Sequence, residues 1–367
     1  MADGTGKTAD AAEEKIPFNF FKKIPKIELH AHINGSISTE TIEKLIERKA
    51  EQGNNDCLVS QWQTTIHKGE ERDLSDCLSM FGIIYQLVDD TEAVYLVTKS
   101  VIEDFEQDNT KYLELRSTPR ANPETGMTKQ SYIDAVLKAI DEAKSTAPNI
   151  TVRFIPAKNR KLGPDDAMDT VKLAIKYKEN ATGIIVGLDL SGDPKVHDSI
   201  NFVPALKLAR ENGLKLALHI AEVPDLEESR VLLNVIPDRI GHGTCIHPEN
   251  GGSEDLVSVV EEHSIPIELC LTSNVKTKTV PSYSEHHMGY WYSKQHPCIV
   301  CTDDKGVFST TLSEEYSVMA RTFNLTEEQV WNLTFKSIDY IFGGEKLKHD
   351  LKELWKTEKE KIISSVH

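Results

Sequence analysis

At 367 residues, 39% of them hydrophobic, the chain is long for one open-sheet domain but ordinary for a single α/β barrel with insertions. Its formal charge of −16, from 42 Lys+Arg against 58 Asp+Glu, argues against nucleic acid or a membrane surface as partner and requires a local basic patch for any anionic ligand. No apolar run approaches the roughly 18 residues of a membrane span, and the 6 cysteines, mostly inside apolar runs such as IELC and CIVC, read as reduced thiols of a cytosolic protein.

Residues 1–18 are small, polar and unpatterned, and are expected to form a disordered tail ahead of a single domain over 19–367. The tail contains GTGKT, but a phosphate loop needs a glycine five positions before Gly6, where Met1 stands, and a strand in front of it. Short apolar runs rich in β-branched residues then alternate with helical patterns. The runs are KIELHAH (26–32), KYLELRS (111–117), TVRFIPA (151–157), GIIVGLDLSG (183–192), LKLALHIAE (214–222), RIGHG (239–243), PIELCLTSN (266–274) and CIVCTDD (298–304). Their near-continuous apolarity predicts strands covered on both faces.

Between them, Ile42, Leu45 and Ile46 mark one helical face and Met168, Val171 and Ile175 another, while PALKLARENG (204–213) ends in the Asn-Gly of a helix stop. This succession predicts a closed parallel (β/α)8 barrel. The long interval 33–110 between the first two strands carries helical patterns, including Leu74–Leu87, and reads as a helical insertion over the barrel mouth. Four Asn-x-Ser/Thr triplets, at Asn149, Asn180, Asn324 and Asn332, read as chance matches.

Polar residues gather at the C-terminal ends of the predicted strands, which is the active face of such a barrel. His30 and His32 end the first strand, His219 and Glu222 the fifth, His242 the sixth, and Asp303 and Asp304 the eighth. Two positions apart, His30 and His32 project from one side of a strand. With His219 and Asp303 they offer three nitrogens and one oxygen, a donor set that suits zinc and leaves a position for water. Each residue alone has a bland reading: a hydrogen-bonded core histidine, a surface glutamate, an Asp-Asp helix cap. On four strand ends of one barrel, those readings would have to coincide.

Along nearly its whole length, from ELHAH to TDD, the chain resembles the adenosine deaminase family. The motifs are IELHAHINGS, LELRSTPR, LDLSGDP, HIAE, RIGHG, LCLTSN and CTDDKGVFST. Asn34 of HINGS, STPR (117–120), the LTSN that ends at Asn274, and DDKGVF (303–308) are nearer to the family's N6-methyl-AMP deaminase branch. The resemblance implies one zinc per chain on His30, His32, His219 and Asp303. It implies Glu222 as proton donor to the purine ring, His242 beside the attacking water and Asp304 facing the purine N7. His32, Asn34, Tyr85, Ser117, Thr118, Pro119, Arg120, Asn159 and Gly192 fall at substrate-side positions. Tyr85 stands where relatives tend to have His, Asn159 where they have Asp, and Ala221 where adenosine deaminases proper have Gly.

The expected reaction is hydrolytic deamination at C6 of a purine nucleoside monophosphate, N6-methyl-AMP to IMP and methylamine, by a cytosolic monomer with a small-molecule partner only. His242 and Asp304 are expected to orient the attacking oxygen and to pass its proton to the leaving amine. For the phosphate, Arg120 with Ser117 and Thr118, then Lys158, Arg160 and Lys161, then Lys68, are the available donors. Deamination of adenosine and a non-catalytic purine-nucleotide-binding barrel are the alternatives. A separate pattern, His247-Pro248-Glu249 with Pro297-Cys298 and Cys301, spells the signature of cytidine-type zinc deaminases. Its cysteines, however, fall in what reads as a buried strand.

Overall fold

The structure is a computed structural model that describes residues 16–53, 74–180, 183–193, 196 and 198–364. Lys68, the GTGKT segment and Cys57 lie outside the described residues. Eight strands follow the predicted runs: β1 (Lys26–His32), β2 (Thr110–Ser117), β3 (Thr151–Asn159), β4 (Gly187–Ser191), β5 (Lys215–Ile220), β6 (Arg239–His242), β7 (Ile267–Leu269) and β8 (Cys298–Val300). Each pairs in parallel with the next in chain order. The ring is closed from the last strand to the first by His32 N–H to the Asp303 carbonyl at 3.1 Å and Asp303 N–H to the His30 carbonyl at 2.8 Å. Helices connect successive strands, and those between β1 and β2 (Thr39–Glu51, Leu74–Leu87 and Thr91–Gln107) form the expected insertion.

Strand alternation divides the residues. Ile27, Leu29, Leu113, Leu115 and Phe154 pack in the hydrophobic core. Glu28, His30, Glu114, Arg116, Asp189, Arg239 and Glu268 have no exposure at all. Burying so many ionisable groups is tolerable only where they pair or are hydrogen-bonded: Glu28 accepts from the Thr302 amide and hydroxyl at 3.0 and 2.9 Å, and the others pair. Arg116 donates to Glu268 at 2.5 Å and to the Leu29 carbonyl at 2.7 Å, with Asp189 at 3.7 Å. Arg239 donates to Glu268 at 2.6 Å, to Glu114, and to the Tyr340 carbonyl at 2.8 Å. A charged column therefore fills part of the space beneath the candidate site.

Two expectations need correction. The folded part begins before residue 19, since Ile16 is buried and Phe18 opens the helix Phe18–Lys23. The seventh strand stops at Leu269 and does not run to Asn274. Cys270 turns the chain (φ −110°, ψ 78°), and Leu271–Lys276 is helical. The apolar spacing of ELCL fits either period. Here the helix wins because it carries Ser273 and Asn274 to groups at the barrel mouth.

Candidate active site

The Nε2 atoms of His30, His32 and His219 lie 3.1–3.3 Å from one another, and Asp303 Oδ1 lies 3.4 Å from that of His30 and 3.3 Å from that of His32. Ligands roughly 2.0–2.1 Å from a shared centre are about 3.3 Å apart at the tetrahedral angle, so the spacing is that of a metal shell. The outer nitrogens settle where the protons sit. His30 Nδ1 faces the Glu268 carboxylate at 2.8 Å and His219 Nδ1 faces Asp189 at 2.9 Å. A carboxylate accepts, so both Nδ1 atoms carry hydrogen and both Nε2 atoms present lone pairs. Lone pairs crowded this closely need a cation between them, and the four residues could hold one. Ser273 Oγ donates to Asp303 Oδ2 at 2.8 Å and fixes the fourth donor.

Burial would raise the carboxyls of Glu268 and Asp189. The Arg116 and Arg239 guanidinium groups hold Glu268 well below its usual range, and His219 with Arg116 hold Asp189 low. Both therefore stay ionised behind their histidines. Burial, then Asp303 and Glu222, push the Asp304 carboxyl well above its usual range. Burial lowers the pKa of His242, with Glu222 opposing.

His242 Nε2 lies 3.7 Å from Glu222 Oε1 and 3.9 Å from Asp303 Oδ2. Three non-glycine residues here, Ala221 (φ 54°), His242 (φ 63°) and Asp303 (φ 58°), hold left-handed backbone, a conformation of the kind that accumulates at functional sites. Gly192, at φ 88°, could not be replaced cheaply, since a Cβ there would lie 2.5 Å from Asn159 Oδ1.

A cavity of about 640 Å³ opens above the cluster. His32, Asn34, Tyr85, Ser117, Thr118, Asn159, Gly192, His219, Glu222, His242, Asp303 and Asp304 line it, with His30 fully buried beneath. Asn34 Nδ2 lies 3.3 Å from Ser117 Oγ, and its Oδ1 is a buried acceptor with no partner.

Pro119 and Arg120 do not line the cavity. Arg120 instead donates to the Val88 carbonyl and stacks on the Tyr85 ring at 4.5 Å, supporting a wall residue. Lys158 is buried against Asp166. Arg160 is also buried, bound to the Gly192 carbonyl at 3.0 Å, the His219 carbonyl at 3.1 Å and Glu228 at 2.8 Å. Of the basic residues expected to meet phosphate, Lys161 lines the cavity. The second signature dissolves: Cys298 is buried in β8 and Cys301 just beyond it, and the His247 ring packs at a tilt against Tyr290.

Sequence reading passed over the groups behind the ligands: Asp189, Glu268, Arg116, Ser273, Asn274, His286 and His287. A signal existed for the first three, because an ionisable residue inside an apolar strand must have a buried partner. Ser273 and Asn274 sit on the short helix Leu271–Lys276, and His286 and His287 follow it just ahead of Met288–Ser293, where no long periodic pattern exposes them.

Parallel barrels whose strand ends offer three nitrogens and one oxygen beside a further carboxyl group are scaffolds for metal-assisted hydrolysis, and this fold and site define that class. The family model for adenosine deaminase matches residues 25–357. The chain belongs to the adenosine deaminase family. It is 51% identical over 345 residues to the N6-methyl-AMP deaminase of Danio rerio, covering 94% of this chain and 98% of that protein. To the N6-methyl-AMP deaminase of Homo sapiens it is 48% identical over 355 residues, covering 96% and 99%. A crystal structure of Arabidopsis ADAL complexed with IMP superposes with a TM-score of 0.85 at 34% identity, covering 94% of this chain and 99% of that one. Among the described residues no helix is long and apolar enough to cross a membrane.

Proposed function

We propose that this enzyme hydrolyses the C6–N bond of purine nucleoside 5′-monophosphates, with N6-methyl-AMP as principal substrate and IMP and methylamine as products. One zinc ion per chain on His30, His32, His219 and Asp303 is part of the reading, as are a monomeric state and a cytosolic location. The convergence of four ligand atoms next to Glu222 in one cavity carries it, and the identity to N6-methyl-AMP deaminases supports the substrate.

Bound zinc would lower the pKa of a water to roughly 7. The chain's own groups do the rest. Glu222 delivers a proton to the purine N1, which makes C6 electrophilic. Asp304 and His242 hold the water against C6. As the new C6–O bond forms and the C6–N bond breaks, the water gives up both protons: one returns to the Glu222 carboxylate, and the other reaches the leaving nitrogen, which departs as methylamine. Asn34, with its free buried acceptor, and Gly192 orient the purine and ribose. In a chain of charge −16, Lys161, Ser117, Thr118 and Asn159 supply the donors for phosphate.

The test is product release from a panel of 6-substituted purine nucleosides and their monophosphates. IMP from N6-methyl-AMP with little inosine from adenosine is the expected result. Comparable kcat/KM for adenosine and N6-methyl-AMP would promote plain adenosine deamination.

A further inference from the structure

The loop joining β7 to β8 carries Asn274, Thr279, His286 and His287, none of which has a role above. The asparagine and both histidines are buried, packed behind His242. His287 Nε2 donates to the His242 carbonyl at 2.8 Å, bracing the left-handed backbone of that residue, and its ring stacks on His286 at 4.1 Å.

The proton positions along this loop follow from one main-chain amide. Met288 N–H lies 3.1 Å from His286 Nδ1. A main-chain amide can only donate, so His286 Nδ1 bears no hydrogen and its ring proton is on Nε2. That Nε2–H donates to the Asn274 side-chain oxygen at 3.1 Å. The Asn274 amide nitrogen then points the other way, 3.2 Å from His242 Nδ1 and 3.1 Å from Thr279 Oγ1. Thr279 is free to accept, because its own hydroxyl donates to the Asn274 carbonyl at 3.2 Å.

Turning the amide over would set its NH2 against His286 Nε2–H, two donors face to face. Moving the His286 proton to Nδ1 would oppose the Met288 N–H. Protonating both nitrogens meets the same obstacle. One arrangement satisfies every group, and in it His242 Nδ1 accepts a hydrogen bond.

We propose that Asn274 and His286 are positioning residues that impose the Nε2–H tautomer on His242, so that His242 meets the attacking water as a hydrogen-bond donor and not as its base. The proposal rests on reading the cavity as a deaminase site. With its lone pair tied to Asn274, His242 has no free acceptor, and the proton that water loses on adding to C6 passes to Glu222, which is a carboxylate once its own proton has gone to N1.

The test reads the tautomer directly and then inverts it. In zinc-loaded protein labelled with 15N-histidine, long-range proton–nitrogen correlation locates the ring proton, with the His242 signals identified by their loss in His242→Gln. The proton is expected on Nε2 in the wild type. In Asn274→Asp it is expected on Nδ1, because a carboxylate can accept from both rings. Holding the wrong tautomer in a serine protease triad costs about 10⁴ in kcat, so Asn274→Asp should lose roughly 10²–10⁴ in kcat with KM little changed. Zinc content should stay at the wild-type value, while the buried carboxylate lowers the thermal midpoint and leaves the protein folded at the assay temperature. His286→Gln, whose amide can still donate to Asn274, should retain more kcat than His286→Ala. A proton on Nδ1 in the wild type, or an Asn274→Asp enzyme with wild-type kcat, overturns the proposal. Wild-type protein with the proton on Nε2 but no turnover of N6-methyl-AMP supports the tautomer and counts against the substrate reading.

Discussion

Glu268→Gln removes a single charge at a place without exposure, and its cost can be worked from the contacts. Glu268 accepts from Arg239 at 2.6 Å on one oxygen and from Arg116 at 2.5 Å and His30 at 2.8 Å on the other. Glutamine has one oxygen, so either orientation sets its NH2 against at least one of these donors. Unpairing a buried ion pair costs about 3–5 kcal/mol. With a melting entropy near 2.1 cal/mol/K per residue, 367 residues give about 0.77 kcal/mol/K. The midpoint should fall by about 4–7 °C. A second effect reaches the metal. Losing the carboxylate behind a ligating histidine weakens metal binding by about 10–100-fold, or about 1.4–2.7 kcal/mol at 1.36 kcal/mol per decade. Scanning calorimetry with and without zinc, together with competition against a chelator, measures both. A midpoint within about 1 °C of wild type and an unchanged zinc affinity would refute the idea that this column supports the site.

Three further outcomes follow from the same geometry. Glu222→Gln should fold and keep its zinc but lose roughly 10³–10⁴ in turnover, toward the upper end for a general acid; near-normal turnover would remove Glu222 from the mechanism. Stripping the metal with a chelator should lower the thermal midpoint, and zinc restored at about 1,000 times its Kd should return about 4 kcal/mol; a midpoint indifferent to zinc would contradict four converging ligands. Lys161→Ala should raise KM for the monophosphate by about tenfold, the loss of one charge-assisted bond, and leave the residual nucleoside reaction alone. An equal loss on both substrates would place Lys161 away from the phosphate.

Much of the protein is decided locally and is therefore written in the sequence. Strand and helix periods, Gly and Asn stops, and the order of eight runs determine a parallel barrel, because each depends on residues a few positions apart. The barrel's geometry then obliges strand-end residues to meet, which is why His30, His32, His219, Asp303, Glu222 and His242 could be gathered on paper. Boundaries were less legible: ELCLTSN satisfies both strand and helix until Ser273 and Asn274 find Asp303 and His242 across the mouth. Residue types alone also could not say which cations were free. Lys158, Arg160 and Arg120 all read as phosphate donors, and only tertiary contacts show them engaged with Asp166, with Glu228 and two carbonyls, and with Val88 and Tyr85. The same holds for the groups behind the ligands. Glu268 orients His30 from 238 residues away, and Asn274 reads the His242 ring from 32. Sequence fixes what such a group can donate or accept; whether it has a partner depends on the folded chain, since a hydrogen bond needs two groups within about 3 Å whatever their separation along the backbone.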